Sequence, residues 1–216
     1  MKSNWNFYFK SSFILFVACI WILVSSISTH ATPADNESLI RAAFDGDAKK
    51  VQALLQKGIE INQQNRVSWT ALRAASRMGH ADIVMMLLKN GAKINQQNKY
   101  GTTALMEASI DGHKMVVNML LEKGAKVNQR NVVGWTALME VSQRGHDLLV
   151  IELIKKGAEV NQQNNLGSTA LILASLEGHE TVVKTLLKKS AQVNHQEKDG
   201  WTALLFASMY GHDAIV

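Results

Sequence analysis

The sequence predicts an all-α solenoid, in which helix–turn–helix units of 33 residues stack on one another and are joined by β-turn or hairpin-like loops. Two observations predict this fold. Five times, a turn residue is followed by Thr-Ala-Leu, a short helical stretch and Gly-His, and the copies are spaced 33 residues apart. The anchors are Thr70, Thr103, Thr136, Thr169 and Thr202, with His80, His113, His146, His179 and His212. Such a period is typical of stacked repeats, because one unit cannot bury its apolar face until a neighbour covers it.

Composition excludes several classes of chemistry. The chain has 216 residues, of which 47% are hydrophobic and 19% charged, as in ordinary globular proteins. Its one cysteine, Cys19, lies in the N-terminal apolar run, so the remainder offers no disulfide, thiolate metal ligand or cysteine nucleophile. Lys2 and Lys10 are the only charged residues in 1–31, so 21 basic and 18 acidic side chains follow, a net charge of +3. That excess is too small to indicate nucleic-acid binding.

Residues 1–31 are predicted to be a signal peptide, cleaved after Ala31. A basic region ends at Lys10, an apolar run covers 13–24, and Thr29 and Ala31 are small. Twelve apolar residues fall short of the roughly 18 to 20 that span a bilayer. Two alternatives are an uncleaved membrane anchor and lipidation at Cys19. We therefore expect an exported protein, periplasmic or extracellular, with a membrane-anchored form as the alternative.

The repeat domain is expected to cover 35–216. Its first unit lacks the two motifs but keeps the apolar positions and adds polar residues, as expected for an N-terminal cap with one covered face. The last unit stops a few residues into its second helix, from which we expect the sequence to be a fragment or a truncated product. The units are a capping repeat at 35–67, repeats at 68–100, 101–133, 134–166 and 167–199, and an incomplete repeat at 200–216.

Each unit is predicted to hold two helices. In the unit from Gly101, Thr103 is placed to cap a short helix that Gly112 ends. Apolar residues at helical spacing follow until Gly124, which predicts a second helix. Acidic residues open most second helices and lysines close them, which complements the helix dipole.

From about Asp35 onward, the chain resembles the ankyrin-repeat family. The unit at 101–133 carries Gly-Thr-Thr-Ala-Leu-Met-Glu-Ala-Ser, then Gly-His, a Leu-Leu pair and Gly-Ala-Lys-Val-Asn, close to the family's pattern. Alanine replaces the family's proline in every unit, and the histidine that follows becomes Arg73, Met106, Met139, Ile172 or Leu205. The hydrogen bonds of that histidine are therefore expected to be missing. The resemblance implies an ankyrin-repeat solenoid.

The regular histidines and serines invite a catalytic or metal-binding interpretation, which spacing disfavours. Packed helices lie about 8–10 Å apart, whereas zinc ligands lie about 2 Å from the metal. The resemblance implies that the Gly-His histidines bond loop backbone within and between units. A serine nucleophile needs a base and an oxyanion site once per protein, so the serine at 76 and its equivalents are expected to pack helices. We predict no catalytic residue, no metal, no cofactor and no enzyme activity.

The positions that vary between units are the candidate binding site. By resemblance, the turn tips and the outer ends of the first helices line a concave surface that binds a protein partner. Exposed apolar and aromatic residues with Arg are typical of interaction sites. Alternatively, each Trp packs on the neighbouring turn as a structural residue. The candidates are Trp69, Met78, Tyr100, Ile110, Val133, Trp135, Arg144, Leu166, Leu176, Trp201 and Tyr210.

The function expected from these observations is that of a non-catalytic, monomeric scaffold for protein–protein interaction. Three alternatives remain open: a secreted effector, a membrane-tethered adaptor using the same face, and the non-catalytic part of an enzyme whose other domain is missing. Lysines that close the second helices form a possible basic edge for anionic lipid or nucleic acid, but dipole pairing explains most of them. We expect no nucleic-acid partner, and contact with a membrane only through an uncleaved N-terminal segment.

Overall fold

The computed structural model describes residues 33–216, so the predicted signal peptide lies outside the described residues. In this part of the chain there are eleven helices and no strand. They are α1 (Pro33–Asp45), α2 (Ala48–Gln56), α3 (Ala71–Arg77), α4 (Ala81–Lys89), α5 (Ala104–Ile110), α6 (Lys114–Glu122), α7 (Ala137–Gln143), α8 (Asp147–Lys155), α9 (Ala170–Leu176), α10 (Glu180–Lys188) and α11 (Ala203–Met209).

The helices form two rows. The first helices of the units, α1, α3, α5, α7, α9 and α11, pack side by side, and each packs against the second helix of its own unit where that helix is present. The second helices, α2, α4, α6, α8 and α10, form the other row. The prediction of an all-α repeat solenoid is confirmed. Across residues 33–216, no helix has both the length and the apolar character needed to cross a bilayer.

Threonine caps start the first helices, as the sequence predicts. The Oγ1 atom of Thr103 accepts a hydrogen bond from the backbone N–H of Met106 at 3.3 Å, and the four equivalent threonines do the same three residues ahead. An N-cap of this kind satisfies one of the backbone donors left free at a helix start. These seven-residue helices are too short to be stable alone, so their stability comes from packing.

Stacking of neighbours buries the core. Leu171 and Ile172 on α9 are each 2% exposed, whereas the equivalent Leu204 and Leu205 on α11, against which no later unit is stacked, are 50% and 48% exposed. Full burial of such a side chain contributes about 1.5–3 kcal/mol. Each first helix is therefore buried to a large extent by the unit that follows it in the chain.

A ladder of asparagines joins the loops that follow the second helices. Asn95 donates from Nδ2 to the carbonyl of Gly124 at 3.3 Å, and its Oδ1 accepts from the N–H of Lys126 at 2.8 Å. Equivalent pairs of bonds are made by Asn62, Asn128 and Asn161. Each asparagine thus fixes its own unit to the next.

Candidate functional site

The five Gly-His histidines connect adjacent units. Each ring places Nε2 at 2.8–3.1 Å from a backbone carbonyl oxygen of the preceding unit, as His113 does with Arg77 at 2.9 Å. Residues 33–216 contain no group of three His, Cys, Asp or Glu side chains that could hold a metal ion. The prediction that these histidines bond backbone between units is confirmed, but the accepting carbonyls belong to residues at the C-terminal ends of the first helices and not to loops. The histidines therefore contribute to the stacking of units.

The serine column packs helices. Ser76, Ser109, Ser142 and Ser175 are completely buried. Ser109 Oγ donates to the carbonyl of Leu105 at 2.7 Å, while the hydroxyls of the other three have no hydrogen-bond partner among the described residues. A buried hydroxyl without a base or an oxyanion site has no route to nucleophilic catalysis.

The hairpin tips between units are shaped by one side chain each. Asn131 Oδ1 accepts from the N–H groups of Val133 at 3.1 Å and Trp135 at 2.9 Å, which closes the turn. Asn65, Asn98 and Asn164 form the same two bonds, and Glu197 forms them through Oε1. Asparagine suits such turns because its short side chain replaces a backbone acceptor. The two residues after each anchor are left to project outward.

Apolar side chains occupy these projecting positions in four successive tips. We call this row the tip surface, and its members are Val67, Tyr100, Val132, Val133 and Leu166, which are 52–63% exposed. Single exposed apolar residues are normal on a protein, whereas five in successive turns indicate an interaction site.

Backbone hydrogen bonds hold most of the tip surface together. The N–H of Val132 donates to the carbonyl of Tyr100 at 2.9 Å, that of Asn165 to Val133 at 3.0 Å, and that of Lys198 to Leu166 at 2.9 Å. The apolar side chains are therefore carried on a fixed framework, which reduces the entropy lost when a partner binds.

The first tip is the exception, because the corresponding bond from Lys99 to Val67 is not formed. At this position Ser68 has φ of 64°, where the later units have glycine. A Cβ atom built on the equivalent Gly101 would lie 2.8 Å from the Cα of Asn131 in the next tip. The real Cβ of Ser68 thus occupies the space that the next tip needs for a close approach.

The predicted site residues divide into two groups. Those exposed are Met78, Tyr100, Val133, Arg144, Leu166 and Tyr210, and those half-buried are Trp69, Ile110, Trp135, Leu176 and Trp201. Leu176 and Tyr210 line one surface depression of about 460 Å³ together with Glu177 and His212. Val67 and Val132 are not among these predicted residues, although they belong to the tip surface. Their positions in the turn, next to Arg66 and Val133, are the sequence signal that predicts their exposure.

The expectation that the tryptophans are exposed is wrong. The guanidinium of Arg73 lies 4.5 Å from the ring centroid of Trp69. Trp201 stacks on Phe206 with ring centroids 5.2 Å apart. Trp69 packs on a cationic side chain and Trp201 on an aromatic one, each on the first helix of its own unit. These two rings are therefore engaged in packing, but within their own unit and not on the neighbouring turn that the structural alternative expected.

A buried ion-pair network lies between α3 and α5, and the sequence analysis missed it. Arg73 pairs with Glu107, whose other oxygen lies 3.4 Å from Arg77, and Arg77 also pairs with Asp111 at 2.7 Å. Arg73 donates in addition to the carbonyl of Ser68 at 2.7 Å. At position 73, arginine thus forms hydrogen bonds of its own in place of the family's histidine.

Glu140 on α7 occupies the position equivalent to Glu107, one unit later. Its side chain is half-buried. Burial raises the pKa of Glu140 to about 7, and the charge of Glu107 adds to the increase, while Arg144 and Arg77 oppose it. Near neutral pH this carboxyl is therefore only partly ionised.

The lysines that close the second helices form a separate exposed edge. Lys89, Lys123, Lys156 and Lys189 are all exposed. Within residues 33–216, the aromatic side chains found at the tips have no counterpart beside these lysines at the helix ends. Binding to single-stranded nucleic acid usually combines basic residues with aromatic stacking.

The chain matches the model of a known family. A family model described as ankyrin repeats (3 copies) matches residues 39–131 and 138–216. No curated protein matches the chain.

Proposed function

Because this chain belongs to the ankyrin-repeat family, whose repeats are generally protein–protein interaction modules, we propose that it is a non-catalytic scaffold that binds a protein partner through the tip surface and the adjoining ends of the first helices. The observation that supports this most directly is the row of five apolar side chains, each more than half exposed, on successive hairpin tips. We propose that this row lies on the concave face that the family resemblance implies.

The contrast between constant and variable positions supports the same role. Leucines, capping threonines and bridging histidines recur in each unit after the first. The threonines and histidines form hydrogen bonds in all five units, and the leucines that follow the capping threonines are buried in all but the last. The tip residues differ between units and make few such contacts. Side chains that do not contribute to packing can vary to give binding specificity without destabilising the fold.

Tyr100, Arg144 and Tyr210 are the side chains that we expect to contribute most to affinity. All three are exposed, and Tyr and Arg dominate measured hot spots because they combine large contact area with hydrogen bonding. Met78, which follows α3, occupies the repeat position equivalent to Arg144 and Tyr210, and Ile110 and Leu176 occupy the preceding repeat position.

A pull-down from the native compartment tests the proposal. The parent is compared with Tyr100→Ala/Leu166→Ala, and the matched control is Met115→Ala/Leu148→Ala, which removes two apolar side chains of the second helices that are also more than half exposed. We expect a partner captured by parent and control and lost by the tip variant, with unchanged thermal melts by circular dichroism. Equal capture by all three would exclude the tip surface.

We also propose export, on the strength of the basic, apolar and small-residue segments within 1–31. The mature protein is then secreted or periplasmic, and a secreted effector is one form of this role. N-terminal sequencing and intact mass of the native protein test it: a chain beginning at Thr32 supports cleavage. An intact Met1 on a membrane-bound protein favours the tethered adaptor instead.

Catalysis has no support in the described residues. Ankyrin repeats are typically non-catalytic, and the buried serines and bridging histidines of residues 33–216 are occupied in packing or in contacts between units. We therefore propose that the chain acts by binding, as a scaffold.

A further inference from the structure

We propose that the tip surface binds an extended, acidic partner segment in polyproline II conformation, with an apolar side chain at every third residue. This inference depends on the protein-binding role proposed above and specifies the chemistry of its partner. Three observations lead to it: the charges of the tips, the pairing of nearby acids, and the spacing of the units.

The first four tips contain no acid, and a cation lies in or beside each of the first three. Arg66 and Lys99 project from the first and second tips, Arg130 directly precedes the third, and the stretches 65–69, 98–102, 131–135 and 164–168 contain neither Asp nor Glu. All three cations are exposed and form no ion pair among the described residues. Lys99 Nζ lies 5.0 Å from the centroid of the Tyr100 ring, so charge and apolar surface are directly adjacent.

In the part of the chain that the structure describes, none of the acids near the tips forms an ion pair with these cations. Glu37 on α1 accepts a hydrogen bond from Asn65 Nδ2 in the first tip at 3.4 Å. Glu107 is held by Arg73 and Arg77, and Asp111 by Arg77. Glu140 is only partly ionised, because burial raises its pKa to about 7. An acidic partner supplies the ion pairs that Arg66, Lys99 and Arg130 do not form within residues 33–216, which steers association and fixes orientation.

The positive character ends at the fourth tip. In the fifth tip, Glu197 replaces the turn asparagine and Asp199 follows Lys198. Arg130 bonds only neutral groups, the carbonyl of Gly134 and Oδ1 of Asn165, both at 3.3 Å. We therefore assign the acidic side chains of the partner to the tips at 65–135, and a purely apolar contact to Leu166.

The expected spacing of the tips matches the period of a polyproline II helix. Packed helices lie about 8–10 Å apart, so successive tips recur at about that distance. A polyproline II helix has three residues per turn and a rise of about 3.1 Å per residue, which returns a side chain to the same side every ~9 Å. A β-strand returns one every second residue, after about 6.6 Å, and does not match. Val67, Tyr100, Val133 and Leu166 then contact positions i, i+3, i+6 and i+9.

Selection from a random dodecapeptide library displayed on phage tests this with the full chain. Selected peptides are synthesised with fluorescein and measured by fluorescence anisotropy. We expect enrichment of Asp and Glu between apolar residues spaced by three, and weaker binding at higher salt. Arg66→Glu/Lys99→Glu should reduce affinity about tenfold, since each exposed pair contributes up to about 1 kcal/mol and becomes repulsive. Lys156→Glu/Lys189→Glu, the matched charge change on the second helices, should alter affinity less than twofold.

Several results would overturn the inference. The inference is contradicted if basic peptides are enriched, if apolar residues alternate with a period of two, or if no peptide is enriched. It is also contradicted if acidic peptides bind equally well to Arg66→Glu/Lys99→Glu. A dimer in sedimentation equilibrium that Tyr100→Ala/Leu166→Ala dissociates contradicts it as well, because the occupant is then a second copy. If the pull-down partner depends on Tyr100 and Leu166 but is unaffected by Arg66→Glu/Lys99→Glu, this inference fails while the proposed function stands. If no partner is captured at all, the proposed function fails.

Discussion

Arg73 and Glu107 form an ion pair that the first helices of two adjacent units enclose almost completely, with side chains only 3% and 6% exposed. Desolvating two charges costs several kcal/mol, which only close pairing and further hydrogen bonds can offset. The carbonyl of Ser68 and the guanidinium of Arg77 supply those additional partners. The pair therefore couples the second unit to the third through a contact that is costly to break.

Breaking this pair is expected to destabilise the array strongly. Glu107→Leu leaves the Arg73 charge buried and unpaired and should cost about 3–5 kcal/mol of unfolding free energy. Replacing both residues by leucine should recover most of the loss. Urea unfolding followed by circular dichroism measures this. Asp45→Asn, which breaks the exposed Arg41–Asp45 pair, should cost less than about 1 kcal/mol. A double variant no more stable than Glu107→Leu would contradict the argument.

Much of the fold follows from the sequence because its determinants are local and repeated. The threonine caps, the glycines that end helices and the leucine spacing recur every 33 residues, so one correct unit specifies the others. The histidine bonds were reached by resemblance. These features need no knowledge of how one unit's variable side chains meet the next.

The ion-pair network could not be read in the same way. Arg73 and Glu107 are 34 residues apart, one more than the period, so they occupy different columns and are not aligned when units are compared. Exposure of the tryptophans was mispredicted for a related reason: Trp69 and Trp201 fold back onto variable residues, Arg73 and Phe206. The repeat period does not predict contacts between variable residues at non-equivalent positions.

Ser68→Gly is expected to stabilise the array. A non-glycine residue at φ of 64° is strained by about 1–2 kcal/mol, and removing its Cβ allows the Lys99 N–H to reach the carbonyl of Val67. We expect a gain of about 1 kcal/mol in urea unfolding, together with slower hydrogen exchange at the Lys99 amide. Gly101→Ser is the reciprocal change and should destabilise, with faster exchange at Val132. Unaltered exchange at the Lys99 and Val132 amides would show that the Ser68 side chain is not the reason why the Lys99–Val67 hydrogen bond is missing.

Gly112→Ala is expected to cost more than Gly124→Ala, although both glycines have positive φ, of 72° and 92°. A Cβ on Gly112 would lie 2.7 Å from Cε1 of His146, whereas one on Gly124 would meet nothing within 4 Å. Gly124→Ala should therefore lower the unfolding free energy only by the backbone strain that it introduces, about 1–2 kcal/mol. Gly112→Ala should lose more, because it also disturbs the bond from His146 to the Ile110 carbonyl. Equal melting temperatures would contradict a role for the histidine contact.

Ser142→Ala should stabilise the protein by about 1 kcal/mol. The serine hydroxyl is fully buried with no partner among the described residues, and an unsatisfied buried polar group costs about 1–3 kcal/mol. Ser109→Ala is the matched control, since its hydroxyl is bonded to the Leu105 carbonyl, and it should be neutral or slightly destabilising. Urea midpoints at constant m-value measure both. A loss of stability in Ser142→Ala larger than in Ser109→Ala would contradict the prediction.

Glu140 should make stability depend on pH between about 4.5 and 7. Its pKa is raised from 4.5 to about 7, chiefly by burial, so the folded state binds the proton more tightly than the unfolded state. This contribution to stability is fully present below pH 4.5 and is lost as pH rises through 7. Glu140→Gln, which stays neutral, should be about 1–2 kcal/mol more stable than the parent at pH 8, and the gap should close near pH 4.5.

Two measurements check the effect of Glu140. Urea unfolding at pH 5, 6, 7 and 8 gives the stability difference, with Glu122→Gln, an exposed glutamate on α6, as the control for loss of one negative charge. Carbon-13 NMR titration of the Glu140 carboxyl should give a midpoint near 7. A midpoint near 4.5 together with a pH-independent difference would mean that water reaches this carboxyl freely. It would then be fully ionised at neutral pH and would offset part of the positive charge that we assign to the tips.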